Sequence, residues 1–235
     1  MSREHRSGNC HILQRQDRRQ VLEAEQFTAG FWHGGQTFQN QVGGRGDNCL
    51  IDVDGTQAVL RQYRRGGFVG HLLSNQYLWL GWRLSRPWRE WQVLERARDA
   101  GLPVPEPIAA CACRSYFWYR AALMTSYLED TEMLTKRLER EALDPGLWRS
   151  LGQLIKRMHD ERIRHADLTS DNILIDSANR FYLIDFDQAR IMKRLDDWQW
   201  QPLYRFQRSM IKRNRRRPLH FGAAEWQALM DGYQA

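Results

Sequence analysis

Apolar residues repeat at helical spacing in two parts of the chain. The first part predicts a helix over residues 88–100, which Gly101 is suited to cap. Its apolar positions are Trp88, Trp91, Leu94 and Ala97. The second helix begins at Asp144-Pro145, because aspartate is a favoured N-cap and proline fits the first turn. Its expected buried face comprises Leu147, Trp148, Leu151, Leu154, Ile155 and Met158.

Short apolar runs predict strands in the first half of the chain. Residues 49–53 and 58–61 flank Asp54-Gly55, a pair typical of the two-residue turn of a hairpin. Residues 117–128 are also mostly apolar and β-prone. Between these runs, the prolines of residues 101–107 exclude helix and favour extended chain.

The second half combines two short strands with helices. Residues 172–176 and 181–185 are apolar runs joined by a polar turn that contains Asn179, and the chain from Asp196 onward has helical character. A β-rich first portion and a helical second portion predict an α+β protein with two lobes.

Composition excludes several classes of protein. With 235 residues, 42% of them hydrophobic and 27% charged, the chain is neither a collagen-like fibre nor a disordered tail. Its 35 lysines and arginines exceed its 28 acidic residues, which gives a formal charge of +7. This excess indicates an anionic partner, such as a nucleic acid, a phosphate ligand or a membrane surface.

The cysteines and the apolar segments bear on the cellular compartment. Cys10, Cys49, Cys111 and Cys113 show no C-x-x-C spacing and are expected to be buried or unreactive thiols in a reducing compartment. The polar N-terminus is not a signal peptide, and the uncharged stretch over residues 66–82 is too short and polar to span a bilayer. We therefore expect a cytoplasmic protein.

The densest polar motif runs from His165 to Leu174. It places Asp167 and Asn172 five positions apart, and Asp185 follows after one predicted hairpin. Asn172 and Asp185 offer the oxygen ligands that Mg²⁺ prefers, which leaves Asp167 to deprotonate an attacking hydroxyl. Alternatively, these side chains cap turns, as asparagine and aspartate commonly do.

This motif resembles those of the protein-kinase-like superfamily. His165, Asp167 and Asn172 match its H-R-D-x-x-x-x-N loop, and Asp185-Phe186 matches the start of D-F-G. The resemblance implies a β-rich N-lobe, a mainly helical C-lobe and an ATP cleft between them, with His165 as a structural brace. Thr169 and Asp187 depart from the protein-kinase pattern, which favours relatives that phosphorylate small molecules or sugars.

The sequence resembles one family more closely, the lipopolysaccharide core kinases. The segments that carry this resemblance are Gly43-Gly44-Arg45-Gly46, residues 60–67, residues 88–91, residues 100–105, residues 165–172 and Asp185-Phe186-Asp187. It covers nearly the whole chain beyond about Phe31. It implies one kinase-like domain over residues 1–235, with an N-lobe over about 30–128 and a C-lobe over about 129–235.

The family resemblance also implies roles for upstream residues. Gly43, Gly44 and Gly46 would form the loop that covers the phosphates of ATP, since glycine lets backbone amides approach phosphate closely; a plain hairpin turn is the alternative. Arg61 would stand where protein kinases have a lysine, gripping the phosphates and pairing with Glu90. Alternatively, Arg61 lies at a strand end on the surface and Glu90 is a solvated helix residue.

The implied activity is ATP- and Mg²⁺-dependent phosphorylation of a hydroxyl, the 4-OH, of 3-deoxy-D-manno-octulosonic acid (Kdo). The implied acceptor is a Kdo-bearing lipid A precursor, Kdo-lipid IVA. Asp167 would be the catalytic base, while Asn172 and Asp185 would hold Mg-ATP. No nucleic acid partner is expected.

Three other functions are alternatives to phosphorylation of Kdo. Kinases of the aminoglycoside type share the loop motif, but their acceptors are cations, whereas this chain is basic. A nucleic-acid-binding module could use the basic residues of the C-terminal region, although no helix-turn-helix, zinc-finger or RRM signature accompanies them. A pseudokinase would lack metal ligands, yet Asn172 and Asp185 are present. The basic residues in question are Arg205, Arg208, Lys212, Arg213, Arg215, Arg216 and Arg217.

The same basic segment suggests a membrane surface as a partner. Its apolar residues, Leu203, Phe206, Met210 and Ile211, keep helical spacing and leave the charges on the other faces. Residues 66–82 contain further aromatic and aliphatic side chains. We therefore expect a peripheral protein at the cytoplasmic face of the inner membrane, unless the helix is a solvated face and the loop completes the core.

Overall fold

The computed structural model describes residues 2–32, 37–38, 48–63, 77–195 and 197–235. The chain divides into two compact units, which we describe separately. Unit 1 comprises residues 1–92 and 106–127, and unit 2 comprises residues 93–105 and 128–235. The division at residue 92 falls within helix α1, Arg86–Asp99.

Unit 1 is built on an antiparallel sheet. Its strands are β1 (Ser2–Ser7), β2 (Cys10–Arg15), β3 (Thr37–Phe38), β4 (Asn48–Val53), β5 (Thr56–Gln62), β6 (Tyr77–Leu78), β7 (Pro107–Ser115) and β8 (Trp118–Ser126). Their order is β1-β2-β7-β8-β5-β4-β3, and β6 pairs with β8. Alternate side chains of the central strands, among them Ile12, Leu60, Ile108 and Met124, form a hydrophobic core.

The predicted hairpin is confirmed. Strands β4 and β5 pair up to Val53 and Thr56, so Asp54 and Gly55 alone make the turn. Both turn residues have positive φ, 54° and 76°, as a two-residue turn matching the twist of the strands requires. The helix α1 is also confirmed, and Gly101, at φ 66°, lets the Leu102 amide donate to the Ala97 carbonyl at 2.9 Å.

The N-terminal hairpin was not predicted, because β1 is a polar strand at one end of the sheet order. Its partner β2 aligns Cys10 with Cys113 of β7, and these cysteines form a disulfide. The expectation of unpaired thiols was therefore wrong for this pair, since the spacing of cysteines along the chain does not reveal strand register. Cys49 and Cys111 are buried and take no part in a disulfide, and burial raises the pKa of Cys111 to about 12.

Unit 2 combines helices with two small sheets. Its elements are β9 (Thr131–Met133), α2 (Leu134–Arg140), α3 (Pro145–Asp160), β10 (Ile163–Arg164), β11 (Ile173–Asp176), β12 (Phe181–Leu183), β13 (Arg190–Ile191), α4 (Trp200–Asn214) and α5 (Ala223–Gln234). Strands β12, β11 and β9 form an antiparallel sheet, and β10 pairs with β13. The fold is therefore mixed α+β, as the apolar pattern predicts. None of the helices among the described residues is long and apolar enough to cross a membrane.

Helix α3 begins and packs as predicted. The Asp144 carboxylate caps it by accepting a hydrogen bond from the Gly146 amide at 2.6 Å. Except for the half-buried Leu147, its predicted apolar face is buried. The helix packs closely on α5 at Gly152, which has no Cβ. A Cβ at this position would lie only 2.0 Å from the Leu229 carbonyl oxygen.

The buried His159 makes the stability of the fold sensitive to acid. Its ring lies between Trp198 and Tyr233, with Nδ1 at 2.8 Å from the Tyr233 hydroxyl. Burial lowers the pKa of His159 to about 4. The unfolded chain, with a histidine pKa near 6.5, then binds more protons than the folded chain between pH 6.5 and about 4, so stability falls as pH falls through this window.

We expect His159 to make the free energy of unfolding about 2 kcal/mol lower at pH 5 than at pH 8. Urea unfolding at both pH values measures the difference. His159→Gln should remove that contribution, whereas His220→Gln, at an exposed position, should retain it. An unchanged pH dependence in His159→Gln would show that this histidine is not the acid-sensitive group.

Candidate active site

A hydrogen bond within one loop of unit 2 fixes two of the predicted site residues. The loop follows β10, and Asn172 ends the single 3-10 turn Ser170–Asn172 that leads into β11. The Asn172 side-chain amide donates from Nδ2 to the backbone carbonyl of Asp167 at 2.8 Å. Because the amide nitrogen donates this hydrogen bond, the amide oxygen Oδ1 is the atom of the side chain that can coordinate a cation.

Asp185 lies at the end of the segment that pairs with this loop. The Ile184 amide donates to the Asn172 carbonyl at 3.0 Å, which ties the residue before Asp185 to the loop. Asp185 itself has a φ of 62°, a left-handed conformation that aspartate tolerates better than most residues. The structure therefore brings Asp167, Asn172 and Asp185 onto two directly bonded segments.

His165 supports this arrangement through contacts with the residues on either side of Asp185. It is buried, donates from Nε2 to the Ile184 carbonyl at 3.0 Å and packs on Phe186, with ring centroids 4.8 Å apart. Burial lowers the pKa of His165, partly opposed by its bond to Ile184 and by nearby carboxylates, among them that of Asp185. A neutral, enclosed imidazole acts as a structural support rather than as the base, which is the role the resemblance implied.

The Asp167 carboxylate is paired with an arginine of helix α4. Arg205 donates from both Nε and Nη2 to Oδ1 of Asp167, the first at 2.8 Å. Within the described ranges, Oδ1 takes both contacts and Oδ2 accepts none. The Asp167 side chain is 42% exposed, so its carboxylate is accessible from the solvent.

A second arginine of α4 holds the neighbouring acid. Arg213 pairs with the Asp171 carboxylate, which also accepts a hydrogen bond from the Thr135 hydroxyl at 2.6 Å. Thr135 in turn lies 2.8 Å from the buried Ser170 hydroxyl. Sequence reasoning assigned Arg205 and Arg213 only to a basic surface and missed both contacts, because α4 is more than thirty residues away along the chain.

Unit 1 contains a separate charged cluster of three residues. Glu90 of α1 is only 3% exposed, and its Oε2 accepts hydrogen bonds from Arg61 Nη2 and from the Tyr63 hydroxyl. Burial, together with the Glu90 charge, raises the pKa of Tyr63 well above its usual range. The tyrosine is thus the neutral donor in the cluster.

The pairing of Arg61 with Glu90 agrees with the arrangement that the resemblance implies. The alternative of a solvated Glu90 was wrong, since the carboxylate is buried and its charge needs a partner. Tyr63 was missed, although its position two residues after Arg61 places both on the same face of an extended chain. The predicted phosphate loop of Gly43, Gly44 and Gly46 lies outside the described residues.

Comparisons with known proteins identify the family. The family model described as "Lipopolysaccharide kinase (Kdo/WaaP) family" matches residues 31–233. The chain belongs to this family. It is therefore a kinase, and more specifically a sugar phosphotransferase.

Individual proteins that match this chain are similar to it over most of their length. A 3-deoxy-D-manno-octulosonic acid kinase of Actinobacillus succinogenes is 34% identical over 236 residues, covering 97% of this chain and 98% of the relative. A protein of the same description from Photobacterium profundum is 34% identical over 208 residues, or 88% of each chain. Another, from Xylella fastidiosa, is 36% identical over 181 residues, covering 77% of this chain and 72% of the relative.

The buried cluster of unit 1 predicts a specific pattern of stability. We expect Glu90→Gln to lower the free energy of unfolding by about 3 kcal/mol, because breaking a buried ion pair leaves its partner uncompensated. Tyr63→Phe removes one hydrogen bond to a charged group and should cost about 2 kcal/mol. Urea unfolding measures both losses.

Glu25→Gln is the matched control for this prediction, since Glu25 lies in the same unit with an exposed side chain. It should change stability by less than about 0.5 kcal/mol. If Glu90→Gln is as mild as this control, the pair with Arg61 does not stabilise unit 1.

Proposed function

We propose that this chain transfers the γ-phosphoryl group of ATP to the 4-hydroxyl of Kdo in a Kdo-bearing lipid A precursor, Kdo-lipid IVA. The carrying observation is that full-length relatives sharing about a third of its residues are 3-deoxy-D-manno-octulosonic acid kinases. The hydrogen-bonded loop of Asp167 and Asn172 gives that activity a site with suitable chemistry.

Asp167 serves as the catalytic base. As the acceptor oxygen forms its bond to the γ-phosphorus, the bond from that phosphorus to the ADP oxygen breaks and the hydroxyl proton passes to the Asp167 carboxylate. The loose transition state of phosphoryl transfer depends mainly on positioning. The fixed backbone carbonyl of Asp167 and the 42% exposure of its side chain support that requirement.

Asn172 and Asp185 have the donor groups that Mg²⁺ needs. The Asn172 amide nitrogen is used by Asp167, so its oxygen is the remaining ligand atom, and Asp185 adds a carboxylate. Hard oxygen donors in small number, completed by phosphate oxygens and water, are the usual environment of this ion. When bound, Mg²⁺ would neutralise charge on the transferring phosphoryl group.

Arg61 and the glycine-rich segment complete the nucleotide site in this proposal. Glu90 and Tyr63 fix the position of the Arg61 guanidinium, whose side chain is 21% exposed. The planar fork of a guanidinium matches phosphate oxygens. Gly43, Gly44 and Gly46 would cover the phosphates. We further propose that the chain is one kinase-like domain, with an N-lobe of about 30–128, a C-lobe of about 129–235 and ATP as the ligand of both.

Substitution of the two carboxylates tests the site. We expect Asp167→Ala and Asp185→Asn each to lower turnover by about 100- to 10,000-fold, through loss of the base and of a metal ligand. Mass spectrometry of a Kdo-bearing lipid A precursor incubated with ATP and Mg²⁺ measures the gain of one phosphate. Asp167→Ala should still bind ATP, whereas Arg61→Ala should chiefly raise the KM for ATP.

Asp130→Asn is a matched control, because Asp130 is exposed and, like Asp185, has a positive φ, here 52°. It should leave turnover unchanged. Full activity in Asp167→Ala or Asp185→Asn would refute the assignment of these residues.

We further propose that the protein works at the cytoplasmic face of the inner membrane, on its anionic surface. The buried positions of Leu203, Phe206 and Met210 show that the apolar face of α4 belongs to the core of unit 2, so that face was wrongly assigned to the membrane. The opposite face supports the proposal instead. It exposes Trp200, Tyr204 and Ile211 together with Arg208 and Lys212. Directly after the helix, Arg215, Arg216 and Arg217 are exposed as well.

Membrane attraction should depend on these charges. Because each basic residue near an anionic leaflet contributes about 1 kcal/mol, Arg215→Ala/Arg216→Ala should weaken binding to anionic vesicles by about 30-fold. Sedimentation with anionic and neutral vesicles at low and high salt measures this. Arg149→Ala/Lys193→Ala removes two exposed charges elsewhere in unit 2 and should bind nearly as the native protein does. Binding that ignores vesicle charge and salt would contradict the proposal.

A further inference from the structure

Helix α4 presents one guanidinium directly to the proposed base. Leu203 and Phe206, which flank Arg205, are fully buried and fix the helix against unit 2. From this anchored backbone Arg205 reaches Oδ1 of Asp167 with Nε and Nη2. The third nitrogen, Nη1, has no partner among the residues that the structure describes, and the side chain is 52% exposed. One edge of the guanidinium therefore contacts the base, and the edge formed by Nη1 and Nη2 can receive a second anion.

The negative charge of the proposed acceptor requires a cation, such as the Arg205 guanidinium, close to Asp167. Kdo is a sugar acid, so its reacting hydroxyl belongs to a molecule that carries a carboxylate. To place that hydroxyl at Asp167, the enzyme must bring two negative charges close together in a partly desolvated site. Like charges at such distances repel strongly unless a cation lies between them.

Other cationic side chains of this region are already engaged. Arg213 pairs with Asp171, and Arg164 donates to Gln201 at 2.6 Å. Within the described part of unit 2, Arg205 is the cation in contact with Asp167. Its planar fork also matches the two oxygens of a carboxylate, which an ammonium group does not.

We infer that Arg205 is the binding residue for the carboxylate of the acceptor sugar and that it selects an acidic sugar over a neutral one. This inference rests on the proposed function, because it takes Kdo as the acceptor and Asp167 as the base. Arg205 then has two contacts at once. It holds Asp167 through Nε and Nη2, and it receives the substrate carboxylate at Nη1 and Nη2, so that the charge of the acceptor becomes a condition for productive binding.

The test pairs a change in the protein with a change in the substrate. A synthetic Kdo-bearing lipid A precursor is prepared with the Kdo carboxyl group either free or converted to a primary carboxamide. The ratio kcat/KM for each acceptor is measured with native enzyme and with Arg205→Ala. We expect native enzyme to favour the carboxylate by about 10- to 100-fold, the effect of a charge-assisted hydrogen bond, and Arg205→Ala to lose that preference.

Further variants separate recognition from a purely structural role. The KM for ATP should be unchanged in Arg205→Ala, and Arg205→Lys should restore part of the preference, since it keeps the charge without the fork. Arg149→Ala, which removes an exposed arginine of α3, should prefer the carboxylate acceptor over the carboxamide to the same extent as the native enzyme. Thermal unfolding of each variant confirms that it is folded.

The outcomes distinguish this inference from the proposed function. If native enzyme phosphorylates neither acceptor, both are overturned. If it phosphorylates carboxylate and carboxamide equally, only the role of Arg205 is overturned. An equal loss by Arg205→Ala on both acceptors would likewise overturn it, because the guanidinium would then act only by holding Asp167.

Discussion

The hydrogen bond from the Asn172 amide to the Asp167 carbonyl is the constraint on which the candidate site depends. It holds the loop between β10 and β11 in one conformation and fixes which atom of the amide is left for a ligand. The Asn172 carbonyl then accepts from Ile184, whose own carbonyl accepts from His165. One of these bonds joins two backbone groups, and the other two run from a side chain to a backbone carbonyl. Together they tie the loop to the residue before Asp185.

Charge pairing is the second organising feature. In unit 2, Asp167 and Asp171 are each paired with an arginine of α4, and in unit 1 the buried Glu90 is paired with Arg61. A buried pair such as the last adds little net stability compared with apolar residues, but it fixes the position of both side chains. The basic excess of the chain thus serves in part to place carboxylates, and only the remainder is available to an anionic surface.

Much of the local structure followed from the sequence because it depends on nearest neighbours. The Asp54-Gly55 turn, the Asp144 cap of α3 and the Gly101 cap of α1 each arise from the backbone preferences of one or two residues. The order of Asp167, Asn172 and Asp185 indicated a kinase loop because it resembles the H-R-D-x-x-x-x-N and D-F-G motifs, which can be recognised from a short stretch of sequence. The family comparison agrees with that motif.

What the sequence by itself determined is the β4–β5 hairpin, the helices α1 and α3, the chemical groups of the loop and the family to which they belong. The tertiary structure alone decided which distant residues meet them. Pairing of β2 with β7 aligned Cys10 with Cys113, and the packing of α4 brought Arg205 to Asp167. These contacts span 103 and 38 residues, respectively. Strand register and helix packing are settled by the burial of whole apolar faces, which no local pattern around a cysteine or an arginine can specify.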